Sequence, residues 1–134
     1  MEGSNSFRGK NSPEGNRGLE SNDRLETIDN LDQLNQTIKE QKGVVLYLSN
    51  EACSVCRILK PRVKELLDDA YPQMKLYYID TEKNPLIAGQ HRVFTIPTIL
   101  IFFEGREHAR LSRNIGMHQV EESIARPYRM VFEV

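Results

Sequence analysis

The sequence predicts an α/β protein in which helices cover both faces of a central mixed sheet of four to five strands, with about four helices in all. Three observations predict it. Three apolar runs, Val44–Leu48, Met74–Ile79 and Thr98–Phe103, have the length and composition of strands. Between them lie stretches whose apolar residues recur every three or four positions, the period of a helix. Glu104-Gly105 then follows the last run as a hairpin turn. Strands separated by helices need crossovers, which put helices on the sheet faces, and the hairpin adds an antiparallel pair.

In chain order, Leu25–Thr27 reads as a short first strand. Ile28, Leu31, Leu34 and Ile38 share one helical face, with Asp29 placed to cap the helix and Gly43 to stop it. Val44-Val45-Leu46-Tyr47-Leu48 is continuously apolar, as expected of a strand buried on both faces. Beyond the two cysteines, Cys56, Leu59, Val63, Leu66, Leu67 and Ala70 form the stripe of a second helix, which Tyr71-Pro72 ends. Met74–Ile79 follows, with Tyr77 and Tyr78 on opposite faces of the strand. Asn84-Pro85 reads as a cap and a first-turn proline, opening a short helix to about Arg92. Thr98–Phe103 and Arg106–Leu111 flank the hairpin turn. Gly116 precedes a last helix containing Met117, Val120 and Ile124, which Pro127 should kink or stop. Met130-Val131-Phe132 is more apolar than a free tail and is expected to fold back on the domain.

A length of 134 residues accommodates one domain. Residues 1–24 hold four of the eight glycines, and their only large apolar residues are Met1, Phe7 and Leu19. Such a stretch cannot bury enough surface to offset the entropy of ordering it, so it is expected to be disordered, leaving 25–134 as the folded domain. It lacks the apolar centre of a secretory signal and is too acidic for an organelle transit peptide. The net charge of −1, from 18 basic and 19 acidic residues, offers no surplus for nucleic acid. No strictly apolar run exceeds five residues, so no membrane span is expected. Two cysteines neither build a secreted disulfide framework nor fill a four-thiolate zinc site.

Chemistry therefore rests on Cys53-Ser54-Val55-Cys56, at a strand-to-helix junction. The three-residue offset puts both sulfurs on one side of the first helical turn, within the Cα separation a disulfide demands. Free N–H groups at a helix start present positive partial charge to Cys53 and favour its thiolate. Cysteines so placed ionise at ~3.5–7.5 rather than ~8.5. Cys53 is the expected nucleophile, and the deeper Cys56 resolves the mixed disulfide. A bare CxxC reads equally well as two small core residues. Thr95-Ile96-Pro97-Thr98 tips the balance. An Ile-Pro bond at a tight bend is of the kind that adopts the cis form, which would turn the Ile96 backbone outward to pair with an extended peptide. Taken without its neighbours, Pro97 would be read as an ordinary trans turn proline.

Residues 25–134 resemble the thioredoxin family. The resemblance is carried by the CxxC opening a helix, Pro61 within that helix, Asp80 ending a strand, Asn84-Pro85, Ile96-Pro97-Thr98, the Glu104-Gly105 hairpin and Gly116, with Cys53 and Pro97 44 positions apart. It implies a three-layer thioredoxin-like fold, a cis Pro97, attacking Cys53, resolving Cys56, and a peptide groove including Ile96, Pro97 and Gly116. It further implies a thiol–disulfide oxidoreductase acting on protein disulfides, with an upstream dithiol reductant such as a thioredoxin reductase and no cofactor of its own. A cytoplasmic location and a monomer are expected, with Met130–Phe132 the apolar end that would suit a dimer contact.

The departures from the family pattern are informative. Ala52 stands where thioredoxins usually have Trp, and Ser54-Val55 replaces Gly-Pro. Tyr47 replaces a buried Asp that accepts the resolving thiol's proton, and Leu76 replaces a nearby Lys. A phenol with a reference pKa of ~10 is a poor base near neutrality. Slower proton release from Cys56 follows, unless water or Glu51 substitutes. These losses sustain an alternative, a thioredoxin-like binding or adaptor module with little redox activity. Arg57 and Lys60 read as a solvated face whose charge would weakly favour the Cys53 thiolate. His91, His108 and His118 lack ligand spacing to each other or to the cysteines, so no metal site is expected.

Overall fold

The computed structural model describes residues 26–133, so Leu25 and the segment 1–24 lie outside the described residues. Strands and helices alternate as β1 Glu26–Thr27, α1 Leu31–Glu40, β2 Gly43–Ser49, α2 Ser54–Ala70, β3 Lys75–Asp80, α3 Pro85–Gln90, β4 Thr98–Phe103, β5 Arg106–Ser112 and α4 Met117–Phe132. The sheet order is β1-β3-β2-β4-β5. β1, β3 and β2 run parallel, β4 is antiparallel to β2, and β5 is antiparallel to β4. This is the mixed five-stranded sheet between two helical layers that the sequence pattern implies.

Every residue of β2 and β4 is buried, because both faces of the central strands are covered. Alternation along the strands divides the core in two. Val45, Tyr47, Ile99 and Ile101 face Cys56, Leu59, Val63 and Leu67 of α2 and Val120, Ile124 and Tyr128 of α4. Val44, Leu46, Leu48 and Leu100 face Leu34 and Ile38 of α1 and Ile87 of α3. Tyr77 belongs to the second core and Tyr78 packs against the first, on opposite faces of β3.

Several local expectations are corrected. The α1 cap is Asn30 rather than Asp29: Asn30 Oδ1 accepts from Gln33 N at 2.7 Å, while Asp29 N donates to Gln33 Oε1 at 3.0 Å. Ile28 is buried but precedes the helix, its N–H donating to the Tyr78 carbonyl at 3.1 Å and prolonging the β1–β3 ladder. Gly43 does not stop α1; it opens β2. A Cβ there would stand 2.5 Å from Met74 Sδ and 3.1 Å from the Phe132 ring, so close approach requires the glycine. Ala70 is exposed rather than part of the buried stripe. Asn84 caps α3 by position only, its amide donating to the Asp80 carbonyl at 3.0 Å, and α3 ends at Gln90. Pro127 does not end α4, which continues to Phe132. An interior proline costs about 3 kcal/mol; here the turn beyond it carries buried Tyr128, whose ring lies 5.1 Å from Tyr71 and 4.8 Å from Phe132. Packing of that aromatic cluster offsets the lost backbone bond.

Candidate active site

Register brings the chemistry together. Ser49 at the end of β2 pairs with Asp80 at the end of β3, Leu48 pairs with Thr98 at the start of β4, and Thr98 pairs with Ser112 at the end of β5. The loops carrying Cys53, Ile96-Pro97 and Gly116 therefore leave the strands at one end of the sheet.

Cys53 is the N-cap of α2, and its Sγ accepts from Cys56 N at 3.3 Å. The loop before it is held by Cys53 N to the Asn50 carbonyl at 3.3 Å, Ala52 N to Asn50 Oδ1 at 3.0 Å, and Arg57 Nη2 to the Glu51 carbonyl at 3.0 Å. Arg57 thus braces the loop. Cys53 is half-buried and Cys56 is 3% exposed. The two form a disulfide with Cα atoms 5.3 Å apart. No acidic residue occupies the first turn of α2, so nothing there opposes the positive helix end.

Behind the pair, Tyr47 is fully buried and donates from its hydroxyl to the Cys56 carbonyl at 2.9 Å. Burial, reinforced by Tyr78, pushes the Tyr47 phenol well above its ordinary value. It is a hydrogen-bond donor at any physiological pH and cannot accept the Cys56 proton. The Tyr47 and Tyr78 rings are 6.5 Å apart, and Lys60 Nζ sits 4.4 Å above the Tyr78 ring. A cleft of about 310 Å³ lined by Ser49, Glu51, Arg57, Lys60 and Tyr78 reaches Cys56 from the side. Among the residues lining this cleft, Glu51 carries the one carboxylate. Lys60 is therefore not simply solvated, and local spacing does not reveal this contact because it joins residues 18 positions apart on different elements.

The Ile96–Pro97 peptide bond is cis, with Ile96 half-buried and Pro97 buried. Thr98 Oγ1 donates to the Thr95 carbonyl at 2.7 Å and holds the bend. Among the described residues, no backbone hydrogen bond uses the N–H or C=O of Ile96. Gly116 is exposed, caps α4, and donates from its N–H to Gln119 Oε1 at 2.9 Å. The histidines are dispersed: His91 packs edge-on to Phe102, His108 edge-on to Phe103, and His118 lies 3.2 Å from Glu122. Among the described residues, no group of three or more His, Cys, Asp or Glu side chains is arranged to hold a metal. No helix among them is long and apolar enough to cross a membrane.

Comparison with known proteins agrees with this geometry. The thioredoxin-like protein YdfQ of Bacillus subtilis is 34% identical over 93 residues, covering 69% of this chain and 82% of its own. A thioredoxin of Rickettsia bellii is 27% identical over 84 residues, covering 63% and 77%. Oxidised mitochondrial thioredoxin 3 of Saccharomyces cerevisiae superposes with a TM-score of 0.70 at 22% identity, covering 78% of this chain and 97% of that one. Fasciola hepatica thioredoxin gives 0.69 at 22% identity, covering 76% and 98%. These likenesses between structures show the fold. Residues 26–126 match the thioredoxin family model, and with a paired CxxC at the head of α2 the chain belongs to the thioredoxin family.

Proposed function

We propose that the chain is a thiol–disulfide oxidoreductase that reduces disulfides in proteins. One observation carries the reading: the two sulfurs are within bonding reach but unequally exposed, Cys53 at the rim and Cys56 nearly buried. In the reduced protein, the Cys53 thiolate attacks one sulfur of the substrate disulfide and expels the other as a thiolate. The Cys56 thiolate then attacks Cys53 Sγ, releasing the second substrate sulfur and closing the Cys53–Cys56 disulfide. Two electrons pass to the substrate, and the protons of the two cysteine thiols end on the two substrate thiols. A dithiol reductant of the thioredoxin-reductase class restores the pair. The substrate is an extended segment that pairs with the unused N–H and C=O of Ile96, beside Pro97, and passes the exposed Gly116. The setting is a reducing compartment such as the cytoplasm, where a dithiol pair is catalytic rather than structural.

Tyr47 favours a second reading, an adaptor whose groove holds a partner while the cysteines cycle little, because the side chain set behind Cys56 is a phenol that donates to its carbonyl rather than a carboxylate. Equilibration in dithiol/disulfide buffers, followed by alkylation and mass measurement, separates the two. A cooperative two-thiol transition in the biological range supports the oxidoreductase. A pair that never cycles supports the adaptor. Cys56→Ser, which blocks resolution, should then trap substrate proteins as mixed disulfides on Cys53.

A further inference from the structure

A second cleft, of about 390 Å³, lies next to the cis-proline bend, between the corner 92–95 and the end of edge strand β5. Its lining includes Arg92, Phe94, Thr95, Thr98, Arg110 and Arg113, and it contains no carboxylate. The three guanidiniums are not equivalent. Arg110 donates to both oxygens of Glu107, at 2.9 and 3.0 Å, and to the carbonyls of Arg92 and His91, at 3.1 and 2.8 Å. Its charge is balanced, and it ties the corner to β5. Arg92 and Arg113 are exposed, have no carboxylate partner among the described residues, and stand at positive φ, 56° and 64°. Phe94, which lines the same cleft, is 84% exposed, the most open large apolar side chain among the described residues.

Two guanidiniums without a carboxylate partner among the described residues, lining one cleft with an open aromatic ring, form a surface for carboxylates carried on a partly apolar chain. Thr95 belongs to this lining and immediately precedes Ile96, so a strand pairing at Ile96 brings its neighbouring residues over the arginines. We propose that the cleft binds an acidic stretch of the substrate protein flanking its target disulfide. The proposal rests on the disulfide-reducing reading and adds the substrate class to it.

The test uses the full-length oxidised protein and two fluorescent, cysteine-free peptides of one length. Both carry a Phe, one among glutamates and the other among glutamines. The glutamate peptide should bind about three- to tenfold more tightly, the range that two exposed ion pairs supply. The difference should vanish near 1 M salt, where the Debye length is ~3 Å. Arg92→Gln/Arg113→Gln should abolish it, whereas Arg62→Gln, which removes an exposed charge from α2, should retain it. In parallel, kcat/KM is measured on the same two flanks built around a disulfide. Equal binding of the two peptides overturns the proposal, as does a preference that survives Arg92→Gln/Arg113→Gln or is lost equally in Arg62→Gln. A binding preference without turnover of either disulfide overturns the redox reading and supports the cleft; equal turnover with equal binding does the reverse. Should the double variant not fold, a lysine peptide that binds the parent protein as tightly as the glutamate peptide overturns the proposal.

Discussion

At Tyr47 a buried hydroxyl stands where thioredoxins usually carry a carboxylate, and it does structural work. Its bond to the Cys56 carbonyl anchors the first turn of α2 to β2, and so holds the Cys56 sulfur in place. Tyr47→Phe removes that bond from a fully buried site and should lower stability by about 1–2 kcal/mol, read from denaturant unfolding. Tyr47→Asp is the complementary change. It places a base behind Cys56, so decay of the mixed disulfide should become severalfold faster at neutral pH despite the stability lost by replacing a packed ring. Rapid mixing measures this directly, and an unchanged resolving rate would show that Glu51 or water already carries the proton without delay.

The elements around the site are tuned by contacts from the opposite end of the molecule. β2 can lie under Met74 and the last turn of α4 because Gly43 has no side chain. Gly43→Ala should cost about 1–3 kcal/mol, the usual penalty of overpacking, and appear as a lower unfolding midpoint. Met74 Sδ is the nearest atom, so Gly43→Ala should cost less in a Met74→Ala background than in the parent chain; an equal cost in both would place the strain on the Phe132 ring instead. The same contacts explain why α4 passes through Pro127. Local propensity calls for an end there, but Tyr128 and Phe132 gain more by packing than the helix loses at one bond.

For the whole molecule, the pH dependence of stability follows from the corner that Arg110 holds. His91 packs on Phe102 with its Nε2 buried and unpartnered, its backbone carbonyl accepts from Arg110, and the charges of Glu107 and Arg110 act on its ring. Burial, with a smaller contribution from Arg110, lowers its pKa against the opposing pull of Glu107. Below about pH 6.5 the unfolded imidazole binds a proton that the folded one resists. Stability should therefore fall as pH drops from about 6.5 toward the lowered folded value and be unaffected by this group above that range. Denaturant titrations at a series of pH values should show this slope in the parent protein and its loss in His91→Phe. A slope retained in the variant would assign it to another group. Glu107, lowered chiefly by its hydrogen bond to Arg110, contributes in a separate, more acidic window: its stabilisation holds above the usual carboxylate pKa and is lost as pH falls through the folded value. The sequence by itself determined the alternation of strands and helices, the pairing of Cys53 with Cys56 on one helical turn, and the family. The first two follow from local periodicity or short spacing, which physical chemistry reads within a few residues; the family rests on the resemblance carried by the ordered motifs from the CxxC to Gly116. Only the tertiary structure decided that Tyr47 bonds the Cys56 carbonyl, that Gly43 yields space to Met74, that α4 survives Pro127, and that Arg92, Arg113 and an exposed Phe94 line one cleft beside the bend. Those outcomes depend on contacts between residues far apart in the chain, whose geometry comes from sheet register and packing rather than from local pattern.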